Sequence, residues 1–148
     1  MLTAVRTVPE PRNEPVLSYA PGSPERAAVK AALGDLANEK LDLTSIVDGE
    51  AIHTDGVHDV TAPHNHKKVV GRLHSAGAGE LEKAIAACGN ARNGWASMPF
   101  EERAGIFLKA ADLLAGRFRG RVNAATMHGQ SKTAYQAEID SACELIDF

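Results

Sequence analysis

Five of the six histidines, His53, His58, His64, His66 and His74, fall within 22 residues. Imidazole is a common metal ligand, so this crowding raises the question of a metal centre. His64-Asn65-His66 brings two rings close together. Alternate residues share a face only in an extended strand, however, and Pro63 ahead of them marks a loop. No carboxylate or cysteine stands at a ligand-like spacing to complete a set. The cluster reads as a surface turn, and no residue is assigned to a metal.

The other reactive groups are equally sparse. Cys143 lies beside Asp140, Glu144 and Asp147, and carboxylates raise a thiol's pKa, so this neighbourhood disfavours a nucleophilic thiolate. Gly71, Gly77 and Gly79 do not form the dinucleotide fingerprint, and Gly-x-x-x-x-Gly-Lys-Ser/Thr does not occur. Gly77-Ala78-Gly79 reads as a flexible start to a helix. No catalytic and no cofactor-binding residue is therefore assigned.

The most informative stretch runs from Thr126 to Asp140. Gly129-Gln130-Ser131 breaks one helical pattern, and Ser131 can cap the next. Past it, Tyr135, Ile139, Ala142 and Ile146 recur at helical spacing and face a core. Glu138 stands at the edge of that stripe. A carboxylate there lies in solvent or points into a cleft. Periodicity does not separate the two, and a solvated helix face is the plainer reading.

These residues must be held by elements, and the chain supplies them in order. Residues 1–22 carry Pro9, Pro11, Pro15 and Pro21, four of the seven prolines, and read as an extended arm. Ser23 as N-cap, Pro24 at the first helical position and Glu25 in the first turn open a helix over 24–38 with an alanine-rich face. Leu43 to Val47, Ala51 to Thr54, Val57 to Thr61 and Val69 to His74 read as short strands. Asp48-Gly49 between the first two is a type I′ hairpin signal. They predict a small antiparallel hairpin sheet over 43–74, which needs a partner surface. Helices follow over 78–148. The first, over 78–95, carries the stripe Leu81, Ile85, Cys88 and Trp95, and Gly89 and Gly94 weaken it. The next starts at Pro99, carries Phe100, Ala104, Phe107, Leu108, Ala111 and Leu114, and ends at Gly116. A shorter one spans 118–128, and the last starts near Ser131. That last helix is still apolar and periodic at Phe148, with no C-cap signal, so the expectation is an N-terminal piece of something longer.

The bulk numbers exclude some classes. The chain has 148 residues, enough for one modest core. A net charge of −3 gives no excess of Lys and Arg to neutralise phosphates, so no nucleic-acid partner is expected. No apolar run approaches the roughly 20 residues that span a bilayer, so no membrane partner is expected either. The first residues lack an apolar signal core, which points to the cytoplasm. Two cysteines are too few for a disulfide scaffold, and both read as small buried thiols.

Gln130-Ser131-Lys132-Thr133, Gln136-Ala137-Glu138-Ile139-Asp140 and Cys143-Glu144-Leu145-Ile146-Asp147-Phe148 resemble the corresponding stretch of the delta-1-pyrroline-5-carboxylate dehydrogenases. Asn13-Glu14-Pro15, Tyr19 to Arg26 and Ala110 to Gly116 share the resemblance. These are aldehyde dehydrogenases that oxidise glutamate semialdehyde to glutamate in proline breakdown. The resemblance implies an α/β fold (α+β within these residues). It would comprise the arm, the hairpin sheet and the helices of a truncated NAD-binding domain, with 23–148 an incomplete N-terminal part. It implies NAD in the complete enzyme and none for this piece alone, glutamate semialdehyde as small-molecule substrate, and a homo-oligomer. A later cysteine would attack the aldehyde, so the chain alone would be inactive. Glu138 matches a glutamate near the aldehyde tunnel that recognises the substrate's α-amino group. Two other readings differ in class: a stand-alone interaction module and a decayed enzyme relic. His128, where the family has an aliphatic residue, leans towards the relic.

Overall fold

The computed structural model describes residues 10–148. The part of the expected arm before Glu10, with Pro9, lies outside the described residues. From Glu10 to Tyr19 the chain runs without helix or strand. Helix α1, Pro24–Asn38, then opens as its signals require: Ser23 Oγ accepts from the Arg26 backbone N–H at 3.3 Å, and Pro24 sits in the first turn.

Five strands follow: β1 (Leu41–Leu43), β2 (Ser45–Val47), β3 (Glu50–Ile52), β4 (Val57–Ala62) and β5 (Asn65–His74). They differ from the expected single antiparallel sheet in two ways. The run from Leu43 to Val47 is divided at Thr44 between two sheets. In one, β2 pairs with β3 in antiparallel register, Ser45 opposite Ile52. In the other the order is β1-β5-β4, and β1 pairs with β5 in parallel, Leu41 opposite Gly71. The Asp48-Gly49 turn has φ of 52° and 81°, the left-handed pair a type I′ turn demands. β5 also begins earlier than expected. It takes in His66, while Pro63 and His64 form the turn from β4.

Four helical stretches complete the chain: α2 (Ala78–Ser97), α3 (Phe100–Ala115), α4 (Arg119–Gln130) and a C-terminal one of three parts. Those parts are α5 (Ala134–Ala137), a π-helical turn over Glu138–Cys143 and α6 (Glu144–Asp147). Ser131 does not cap the last helix. It closes α4 in the left-handed region at φ 58°, and Thr133 caps α5, its Oγ1 accepting from the Gln136 N–H while Gln136 Oε1 accepts from the Thr133 N–H.

The core lies between α1 and α4. Tyr19, Val29, Leu36 and Ala124 are buried there, with Leu17, Leu33 and Met127 packed around them. Gly120 allows the approach, because a Cβ on it would stand 3.4 Å from the backbone of Ala28. Helices α2 and α3 behave differently from their patterns: neither buries a single residue. Leu81, Ile85, Phe100, Phe107 and Leu108 all stand exposed. Cys88 is exposed with them, against the expectation of a buried thiol, whereas Cys143 is buried.

Candidate functional site

Glu138 is where the molecule concentrates its charge. Its side chain has no exposed surface, so it lies neither in solvent nor at a cleft edge. The shift has a local cause. A π turn packs residues five apart on one side, and here Ala137, Glu138, Ala142 and Cys143 face inward while Tyr135 points out. A regular 3.6-residue period had placed Tyr135 and Ile139 on that face instead.

Two other parts of the chain, α4 and the arm, meet at this carboxylate. From α4, Arg119 donates from Nη2 to Oε1 at 2.5 Å and from Nε to both oxygens at 3.2 and 3.3 Å. Also from α4, Asn123 Nδ2 donates to Oε2 at 2.8 Å. From the arm, the Leu17 backbone N–H donates to Oε1 at 2.8 Å and the Tyr19 hydroxyl to Oε2 at 2.6 Å. Arg119 spends its remaining donors on the arm as well, on the Pro15 carbonyl at 2.7 Å and on the Glu14 carboxylate. The arm is closed off by Asp147 of α6, whose Oδ1 accepts from the Glu14 N–H at 2.7 Å. Two carboxylate oxygens offer about four lone-pair sites, and these neighbours fill them.

The electrostatics follow from the contacts. Burial opposes the charge on Glu138, but Arg119, Tyr19, the Leu17 N–H and Asn123 outweigh it and hold the carboxyl below its usual range. Burial likewise opposes the Arg119 charge, and Glu138 with Glu14 overcomes it, keeping the guanidinium protonated. Burial and then the Glu138 charge push the Tyr19 hydroxyl up, so it remains a donor. Burial and the same charge push the Cys143 thiol up. This agrees with the chain-neighbour argument against a nucleophile, although Glu138 and not Glu144 carries most of the charge effect. One acceptor in the network stays open: Asn123 Oδ1 is buried and has no hydrogen-bond partner among the described residues.

Sequence reasoning located Glu138 but not its partners. Tyr19 and Glu14 stand in the stretches that carry the resemblance with no role attached, and no motif singles out Arg119. No spacing rule links positions 14, 19, 119, 123 and 138. The histidines scatter. His64 Nδ1 lies 2.7 Å from Ser131 Oγ, and His128 Nδ1 lies 3.2 Å from Lys68 Nζ. His53 and His74, by contrast, meet at Asp42, a carboxylate the spacing argument did not find. At the start of α2, Glu80 Oε2 accepts from the Gly77 N–H at 2.9 Å, so a carboxylate already occupies the helix end where an anion would bind.

The Aldehyde dehydrogenase family model matches residues 51–148. Among curated relatives, the Delta-1-pyrroline-5-carboxylate dehydrogenase of Agaricus bisporus is 44% identical over 142 residues, 95% of this chain and 26% of that protein. The mitochondrial enzyme of the same name from Homo sapiens is 46% identical over 136 residues, 92% of this chain and 24% of that protein. Among solved structures, the Delta-pyrroline-5-carboxylate dehydrogenase of Mycobacterium tuberculosis bound with NAD superposes with a TM-score of 0.95. It is 48% identical, and the match covers 99% of this chain and 28% of that one. The chain therefore spans about a quarter of the length of the relatives it matches.

Proposed function

The chain belongs to the aldehyde dehydrogenase family, and from that premise we propose that it serves as the N-terminal part of an NAD-dependent dehydrogenase. The substrate would be L-glutamate γ-semialdehyde and the product L-glutamate. The observation that carries this reading is the likeness, over nearly all of the chain, to an NAD-bound pyrroline-carboxylate dehydrogenase. NAD would accept the hydride. At the start of α2, the Gly77 N–H is taken by Glu80. The cofactor would be held by other parts of the complete enzyme. The uncovered apolar faces of α2 and α3 suit the same reading, because exposed apolar stripes of that length need a covering surface. A homo-oligomer and a cytoplasmic location belong to this proposal too. Several relatives are mitochondrial by name, and no helix among the described residues is long and apolar enough to cross a membrane.

Within this reading the network around Glu138 fastens the arm to α4 and the C-terminal helix, the wall from which a substrate tunnel would be built. A second role, recognition of the substrate's α-amino group by Glu138, rests on the resemblance alone and would require the network to open, since Glu138 and Asn123 are both wholly buried. The test uses the complete enzyme. Wild type is expected to reduce NAD with glutamate semialdehyde, and the 148-residue chain alone is expected not to. Glu138→Gln should raise KM for glutamate semialdehyde far more than for a simple aliphatic aldehyde if the ammonium is read there. Equal changes for both aldehydes would leave only the fastening role. No NAD reduction by the complete wild-type enzyme would refute the proposed activity.

A further inference from the structure

Away from the Glu138 network, three side chains from different strands converge on one point. Asp42 lies in β1, His53 directly follows β3, and His74 ends β5. His53 Nε2 is 3.2 Å from Asp42 Oδ2, and His74 Nε2 is 3.0 Å from Asp42 Oδ1. The two rings meet edge to face, centroids 5.0 Å apart at 79°. One ligand atom from each residue lies within 4.8 Å of the other two. We propose that Asp42, His53 and His74 form a binding site for a divalent transition-metal cation of the zinc type.

The chemistry of the set fits. Two imidazole nitrogens are borderline donors that suit Zn²⁺ and its neighbours better than a hard cation such as Mg²⁺, and one carboxylate oxygen is a common third ligand to such an ion. Bonds of about 2.0–2.2 Å to a common ion require the three atoms to draw in slightly. His53 and Asp42 have the freedom to do so, with 60% and 52% of their side chains exposed. The more buried ring is already oriented. His74 Nδ1 accepts from the Thr54 backbone N–H at 3.0 Å in one tautomer and lies 3.0 Å from the Thr54 carbonyl, to which it donates in the other, the tautomer an ion on Nε2 would select. When Nδ1–H donates to that carbonyl, Nε2 presents its lone pair to Asp42 and to an ion beside it. A ring N–H held by a backbone carbonyl is the usual support of a metal-bound histidine. Solvent can fill the remaining coordination positions.

The site would also have a structural effect. His53 belongs to the end of the β2–β3 hairpin, while Asp42 and His74 belong to the three-stranded sheet, so an ion would fasten the two small sheets together.

The test titrates Zn²⁺ alone into the 148-residue chain at pH 7.5, read by calorimetry and by the thermal midpoint. Expected are saturable binding of one ion and a higher midpoint. His53→Ala and Asp42→Asn, both at exposed side chains, should each weaken binding at least about tenfold, the scale of losses at metal sites. His64→Ala, His66→Ala and Cys88→Ser should leave it unchanged. Absence of saturable binding would overturn the proposal, as would binding that survives in His53→Ala and Asp42→Asn but disappears in the histidine-loop or cysteine variants.

Discussion

Arg119 and Glu138, 19 positions apart, are joined through Nε and Nη2 of the guanidinium to both oxygens of the carboxylate, and both side chains are almost or wholly shut off from water. The pair does not stand alone. Arg119 also holds Glu14 and Pro15, and Glu138 also holds Leu17 and Tyr19, so each partner of the α4–C-terminal ion pair grips the arm. Desolvating two charges is costly, and the extra hydrogen bonds are what offset it.

Removing one charge from such a pair leaves the other buried and unmatched. Glu138→Gln should therefore destabilise the chain by about 3–5 kcal/mol. Denaturant unfolding monitored by circular dichroism measures this. A loss below about 1 kcal/mol, the scale of an exposed pair, would show that the network contributes little.

The same pair sets an acid limit. The Glu138 carboxyl is held below its ordinary value in the folded chain, so its contribution is complete above the unfolded value, near 4.3, and fades as the pH falls through the lower folded value. Wild type should lose stability as the pH drops below about 4.3, and Glu138→Gln should show a shallower slope in that window. Thermal melts at a series of pH values would read both slopes, and parallel slopes would contradict the assignment.

Tyr19 gives a finer probe. Tyr19→Phe keeps the ring in the α1–α4 core and removes only the hydroxyl between Asn123 and Glu138. A hydrogen bond to a charged acceptor contributes about 1.5–3 kcal/mol, and the variant should lose that amount. It should lose less than Glu138→Gln, and the reverse order would mean that the ring packing carries the effect.

Two glycines should respond in opposite directions. Gly49 sits at φ 81°, where a Cβ is strained, so Gly49→Ala should cost on the order of 1 kcal/mol. Gly89 lies inside α2 with open space where its Cβ would be, so Gly89→Ala should gain up to about 1 kcal/mol. Paired thermal midpoints would check the signs.

The two thiols should separate in a labelling experiment. Cys88 is exposed on α2, while Cys143 is buried with its thiol pushed up by burial and by Glu138. A disulfide reagent at neutral pH should modify Cys88 rapidly and Cys143 only on unfolding. Equal rates in the native chain would mean that the C-terminal helix opens readily.

What the amino-acid sequence determined by itself was local. Ser23-Pro24-Glu25 specified the start of α1, Asp48-Gly49 specified the hairpin, and Pro99 and Gly116 bounded α3, because caps and turns depend on residues a few positions apart. The resemblance motif singled out Glu138 for the same reason, as a string of neighbours. Tertiary structure decided the rest. It divided Leu41–Val47 between two sheets, because which strand pairs with which depends on the partner and not on the run itself. It turned Glu138 inward through a π turn, a departure from the 3.6-residue period that periodicity cannot express. It left the stripes of α2 and α3 open, since an apolar face states a need for cover without supplying the surface. And it brought Glu14, Tyr19 and Arg119 to Glu138, and Asp42 to His53 and His74, across separations that no sequence spacing encodes, since such meetings arise only when distant elements pack.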